Sequence, residues 1–161
     1  MTNLESQTDY ALERAKIENT IAGFVLALDT RDIKGAVDRL AERVTWNYES
    51  VNGRPAAELG PDDLAARWNA TLVHTDASQH FLSLPHITVN GDHASCVVHA
   101  RVEIRLSNPG GSPSTSTNGT YTFGLVRAGS GWRIDAVTMT LLWNDGNARI
   151  MELAAEKGAR G

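Results

Sequence analysis

The sequence predicts an α+β fold, with helices packed on one face of a largely antiparallel sheet. Three observations predict it. Apolar residues recur at helical spacing in the first part of the chain. From His80 onward the pattern changes to alternation of period two. Turn signals such as Asn90-Gly91 and Ala128-Gly129-Ser130-Gly131 divide the alternating segments, as in a meander.

Taken in order, residues 1–9 are expected to form a flexible tail and residues 10–28 a helix. In that helix Ile17, Ile21, Phe24, Val25 and Leu28 form one apolar stripe, with Asp29 at its edge. Asp32 has the chemistry of an N-cap for a second, shorter helix carrying Ile33, Ala36, Val37 and Leu40. Val44, Trp46 and Tyr48 alternate with Thr45, Asn47 and Glu49, which predicts a strand ended by Asn52-Gly53. Gly60-Pro61-Asp62-Asp63 opens a third helix, since proline suits a first turn and acidic residues suit its positive end. Leu64, Trp68 and Leu72 line one face of it. Residues 79–89 read as a strand leading into Asn90-Gly91. Along 94–106, Ala94, Cys96, Val98, Ala100, Val102, Ile104 and Leu106 share an apolar face. Val97, His99, Arg101, Glu103 and Arg105 share the other. Residues 107–118, rich in Ser, Pro, Gly and Thr, read as a long flexible hairpin loop. Strands over 119–127 and 132–143 and a short helix from Ile150 to Glu156 complete the chain.

A length of 161 residues suits one domain, here residues 1–161, with a full hydrophobic core. The net charge of −4 comes with no basic patch, which argues against nucleic-acid partners and acidic membrane surfaces. A lone cysteine, Cys96, has no partner for an internal disulfide. It falls on an apolar strand face and reads as an inert core thiol. The polar first residues lack the apolar core of a signal peptide, and no apolar run spans a bilayer. Together these features lead to an expected cytoplasmic location.

The chemistry centres on two ionisable residues in apolar surroundings. Asp29 closes an apolar helix, and His80 sits inside an apolar strand. Such groups are costly unless they pair. A neutral His80 imidazole can take a proton from carbon beside a carbonyl, while Asp29 sets its tautomer. The plainer reading is a buried pair that ties helix to sheet. Tyr48 shares a strand face with Trp46, and its phenol suits an oxygen gaining negative charge. The plainer reading there is an aromatic half-buried in a sheet. A solvated strand face is the simple account of His99; turned inward, it becomes a second proton donor to a leaving hydroxyl. Metal chemistry has no support. His80 and His86 would lie roughly 20 Å apart along a strand, and no His-x-His or His-Glu-x-x-His pair is present. No cofactor motif, such as a glycine-rich loop between strand and helix, stands out.

Five segments recur in a known order: Leu28-Asp29-Thr30-Arg31-Asp32, Val44-Thr45-Trp46-Asn47-Tyr48, Ser78-Gln79-His80-Phe81-Leu82, Gly131-Trp132-Arg133-Ile134 and Trp143-Asn144-Asp145-Gly146-Asn147. With them the chain resembles the nuclear-transport-factor-2-like superfamily, in its polyketide-cyclase-like (SnoaL-like) branch. The nearest enzymes it resembles are scytalone dehydratase, bile acid dehydratase and hexachlorocyclohexane dehydrochlorinase. The resemblance implies a cone-shaped α+β barrel, in which a strongly curved antiparallel or mixed sheet wraps a long helix around a pocket. It implies that Asp29 holds His80, that His80 removes a proton, and that Tyr48 helps polarise a carbonyl. Trp46 matches a pocket tryptophan, and Phe24, Trp68, Tyr121 and Phe123 are expected to line the same pocket. Phe24 stands where several relatives carry tyrosine or lysine, Leu28 where scytalone dehydratase has tyrosine, and Phe123 where steroid isomerase has an acid. That dehydratase's second histidine falls near Arg105, and His99 shares only its face.

The expected function is a cofactor-independent lyase or isomerase acting on a small apolar, oxygenated, aromatic or polycyclic ring compound. The alternatives are a non-catalytic binding module and a structural small subunit of a ring-hydroxylating dioxygenase. A homodimer or higher homo-oligomer is expected by analogy.

Overall fold

The structure, a computed structural model, describes residues 3–108 and 110–160. The apolar stripe of the first segment winds as α1 (Asn3–Asp29), and Ile17, Ile21, Phe24, Val25 and Leu28 are all buried. Residues 3–9 of the expected tail belong to this helix, and residues 1–2 lie outside the described residues. α1 stops in a Schellman turn: the Asp32 N–H bonds the Ala27 carbonyl at 2.8 Å and the Arg31 N–H bonds that of Leu28 at 3.2 Å. Asp32 then caps α2 (Ile33–Val37), accepting the Gly35 N–H at 2.8 Å, as expected.

β1 (Leu40–Asn47), the one-turn α3 (Glu49–Asn52) and β2 (Ala57–Leu59) follow. α4 (Pro61–Ala70) opens on Pro61 with Asp62 and Asp63 in its first turn, and it buries Leu64 and Trp68. A 3-10 turn at Leu72–His74 leads to β3 (Ala77–Leu82), β4 (His86–Asn90), β5 (His93–Arg105), β6 (Ser114–Ala128), β7 (Gly131–Gly146) and α5 (Ile150–Ala159).

Further expectations need correction. Leu40 starts β1 instead of belonging to the second helix, and Glu49 opens α3 instead of continuing the strand. The segment 79–89 is not one strand. It breaks at Ser83-Leu84-Pro85, where Pro85 has no N–H to give and Ser83 Oγ takes the His99 N–H at 2.9 Å. The segment 107–118 is not wholly a loop, because β6 starts at Ser114. Ser114–Asn118 pair with β5 on one side, and Thr115–Asn118 pair with β7 on the other. Hydroxyl residues that resemble a loop in composition are good strand residues once both edges are paired.

The seven strands run in the order β2-β1-β7-β6-β5-β3, with β4 continuing along the β3 side of β5. β1 and β7 are parallel, and every other pair is antiparallel. The mixed sheet is curved without closing, and the N-terminal helices pack on it in an α+β arrangement. Two bulges accompany the curvature. Opposite β6, β7 carries one extra residue at Asp135 and another at Leu142. At the second bulge, a Cβ on Gly119 would collide with the Thr140 carbonyl oxygen. Beyond it Tyr121, Phe123 and Leu125 all turn to the helices and are buried. α1 crosses that face against β7 and β3. Its first half is clamped by Glu13, which accepts Trp132 Nε1–H at 2.7 Å and Arg127 Nη1–H at 2.9 Å. Among the described residues no helix is long and apolar enough to cross a membrane.

Gly119→Ala should lower stability by about 1–3 kcal/mol, the usual cost of forcing atoms into a packed site. It would be read as a lower urea midpoint with an unchanged slope.

Candidate active site

Asp29 is the last residue of α1, and Ser78 and His80 alternate along β3 toward it. The carboxylate grips the strand twice. Its Oδ2 accepts the His80 backbone N–H at 2.7 Å, and its Oδ1 lies 2.7 Å from His80 Nδ1. Ser78 Oγ donates to the same Oδ1 at 3.0 Å. The side chains of His80 and Asp29 are 7% and 14% exposed, so the pair is largely but not fully enclosed. Burial, the largest influence, works to raise the Asp29 carboxyl. The hydrogen bonds and charge of His80, with the Ser78 hydroxyl, outweigh it and hold the group below its ordinary 3.8. An ionised carboxylate only accepts, so the geometry assigns the imidazole proton to Nδ1. In the neutral ring that leaves the Nε2 lone pair free. Among the described residues Nε2 has no hydrogen-bond partner, and no fully buried side-chain nitrogen or oxygen lacks one, so Nε2 is reachable from outside.

A carboxylate at a helix C-terminus faces the negative end of the dipole, a cost of roughly 0.3–1 kcal/mol when exposed. Arg31 offsets it. Its Nη1 donates to the Leu28 carbonyl at 3.0 Å and to Ser78 Oγ at 2.6 Å, and its Nη2 donates to Thr75 Oγ1 at 2.7 Å. Arg31 holds φ of 63°, a left-handed backbone that costs an L-residue roughly 1–2 kcal/mol. Arg31 and Ser78 lie in two of the segments of family resemblance, but residue pattern assigned neither of them a role. Only the two-residue period of β3 could have placed Ser78 beside His80.

The expected pocket aromatics meet in a closed circuit. Phe24 touches Trp68 (5.9 Å between ring centroids), Trp68 touches Trp46 (6.0 Å), and Trp46 stacks on Tyr48 (4.9 Å, 7° between planes). Tyr48 meets Tyr121 (6.2 Å), Tyr121 meets Phe123 (5.3 Å), and Phe123 returns to Phe24 (6.5 Å). Tyr48 lies just past the end of β1, still stacked on Trp46. Its hydroxyl and that of Tyr121 are 2.7 Å apart. Burial pushes the Tyr121 phenol up to about 12 and the Tyr48 phenol well above its ordinary 10. Both are neutral donors at physiological pH. The His80 ring lies 6.4 Å from that of Tyr121, at 29°. This partnership of the two phenols was not visible in the sequence.

His99 is not part of this assembly. β5 buries Ala94, Cys96, Val98, Ala100 and Val102 and exposes the residues between them, so His99 points away from the helices. It lines an outer groove of about 420 Å³ with Phe81, Arg101, Leu142 and Trp143. Strand parity thus gives His99 the solvated face, and its candidacy as an inward second proton donor is corrected. A second depression of about 290 Å³, beside Ser50 and Thr138, also lies apart from Asp29 and His80. Cys96 is buried, and burial pushes its thiol up to about 11, away from reactivity. Among the described residues no three His, Cys, Asp or Glu side chains are grouped to hold a metal ion.

A curved sheet over a long helix, with a carboxylate–imidazole pair between them, defines the class of fold. A family model, the SnoaL-like domain, matches residues 9–138, and the chain belongs to this nuclear-transport-factor-2-like family. Among solved structures it is similar to the Kfla4162 protein of Kribbella flavida, with 24% identity over 89% of this chain and 99% of that one and a TM-score of 0.83. A candidate scytalone dehydratase of Novosphingobium aromaticivorans is 17% identical over 87% and 91% of the two chains, with a TM-score of 0.75. Hexachlorocyclohexane dehydrochlorinase LinA-type3 of Novosphingobium barchaimii LL02 is 16% identical over 88% and 94%, with a TM-score of 0.72. At these identities the likeness shows the shared fold. No protein with a curated description matches the chain at a significant level.

The lowered Asp29 carboxyl sets the sign of one pH effect. Its stabilising contribution is complete above the unfolded value, near 3.8, and is lost as pH falls through the lower folded value. The stability gap between the wild type and Asp29→Asn should therefore narrow as pH drops below 3.8, which urea titrations across that range would check.

Proposed function

We propose that this protein is a cofactor-independent lyase or isomerase in which the Asp29–His80 pair moves a proton on a small, mostly apolar, oxygenated ring compound. The observation that carries this reading is the double grip of Asp29 on His80, which leaves Nε2 as a lone-pair base in a ring whose centroid lies 6.4 Å from that of Tyr121. Nε2 takes a proton from carbon next to a ring carbonyl, and the C–H electron pair moves into the carbonyl to give an enolate. One hydroxyl of the Tyr48–Tyr121 pair donates to the other, and the proton left over serves the enolate oxygen. With His99 on the outer face, the His80 imidazolium itself returns the proton. Delivered to a β-hydroxyl, it releases water; delivered to a ring carbon, it shifts the double bond.

The aromatic circuit gives the site its expected preference for ring compounds. Trp46 and Tyr48 are only partly buried, and they are the members placed to yield to an entering ring. A passive binding module is the second reading, favoured by the buried, purely apolar Phe24 and Phe123. Native mass spectrometry would support it by finding an unmodified ligand at one per chain.

The test uses a panel of cyclic β-hydroxy ketones, followed by elimination and by deuterium uptake at the carbon beside the carbonyl. Asp29→Asn and His80→Ala should stay folded and lose roughly a hundred- to ten-thousand-fold in rate. Tyr48→Phe should lose less, because Tyr121 remains. Full turnover in both dyad variants would falsify the proposal.

A further inference from the structure

Arg31 occupies the left-handed position that ends α1, where glycine would sit without strain. What the arginine adds is a forked donor. Nη1 reaches both the Leu28 carbonyl and Ser78 Oγ, while Nη2 reaches Thr75 Oγ1. Thr75 in turn donates to the Leu72 carbonyl at 2.6 Å. A guanidinium has no lone pair to offer, so it can only donate. A serine hydroxyl has one proton and two lone pairs. With one lone pair taken by Arg31, the single Ser78 proton is directed to Asp29 Oδ1, 3.0 Å away. The order of donation then runs one way, from Arg31 to Ser78 to Asp29, with His80 donating into Asp29 from the other side.

We propose that Arg31 is the positioning residue of the Asp29–His80 pair, acting through Ser78 to hold the carboxylate against the imidazole and keep the proton on Nδ1. The inference rests on the proton-transfer reading above and adds the group that orients its acid–base pair. Lysine would not replace it, because a single ammonium cannot span Ser78 and Thr75 in the fixed fork that arginine presents. The left-handed backbone at Arg31 turns the side chain back across the end of its own helix, where these partners lie.

Arg31→Gly separates this role from simple helix termination. Glycine accepts φ of 63° freely, so α1 still has its stop. Long-range proton–nitrogen correlation spectra of the full chain, at neutral to mildly alkaline pH, report the His80 tautomer directly. The wild type should show the Nδ1–H form. Arg31→Gly should show a mixture of tautomers, with the Nδ1 proton exchanging with solvent roughly tenfold faster, one ordering hydrogen bond having been lost. On the ketone panel, kcat should fall roughly ten- to a hundredfold with KM little changed, as for groups that orient a reacting side chain. Should Arg31→Gly fail to fold, Ser78→Ala carries the same test, since it leaves the helix end and its guanidinium in place. Unchanged His80 signals in the folded variants overturn this inference and leave the acid–base pair standing. An Nε2–H tautomer in the wild type overturns the pair and the inference together.

Discussion

A carboxylate at the end of a long apolar helix is in a poor place, both for its solvation and for the helix dipole. Asp29 is held there because β3 supplies a backbone N–H, an imidazole and a hydroxyl at hydrogen-bonding distance. The same bonds fasten the edge strand of the sheet to the helix that fills its curve. One set of bonds sets both the packing and the protonation pattern at this point. Bonds that offset the desolvation of the carboxylate also decide which imidazole nitrogen carries the proton. The neighbouring aromatics then have a defined axis to pack around, from the His80 ring through Tyr121 to Tyr48.

Much of this assembly could be read from residue pattern. Ionisable side chains set in apolar runs pointed to Asp29 and His80, and strict alternation along 94–106 placed His99 on the face opposite the core residues. The order of helices and strands, with the five segments of family resemblance, pointed to the curved α+β architecture. Other features depend on contacts between distant segments, which local pattern does not carry. Ser114–Asn118 look like loop by composition and become strand only because β5 and β7 flank them. The Tyr48–Tyr121 hydrogen bond joins residues brought together through β7. Arg31 was hidden for a different reason. Left-handed turns are signalled by glycine or asparagine, and an arginine there gives no warning.

The six-ring circuit depends on backbone irregularity as much as on hydrophobicity. β7 carries extra residues at Asp135 and Leu142, and β6 answers with Gly119 where its chain nearly touches Thr140. A flat, regular sheet would send alternate residues to opposite faces without bending over the helix. The bulged one brings Tyr121 and Phe123 within reach of Phe24 from α1 and of Tyr48 just past the end of β1. Enclosing two phenols among these rings keeps both protonated, which suits them to donate.

The parallel pairing of β1 with β7 joins one of the earliest strands to the last. During synthesis on the ribosome, Trp46 and Tyr48 emerge long before Val137 and Met139 exist to cover them. Contacts between such distant segments form late and slow the search for the native state. The half-made chain therefore presents two large aromatic faces and an open strand edge to its surroundings, the kind of surface that molecular chaperones recognise. The Asp29–His80 pair, joined by α1 and β3 alone, can assemble well before the aromatic circuit beside it is complete.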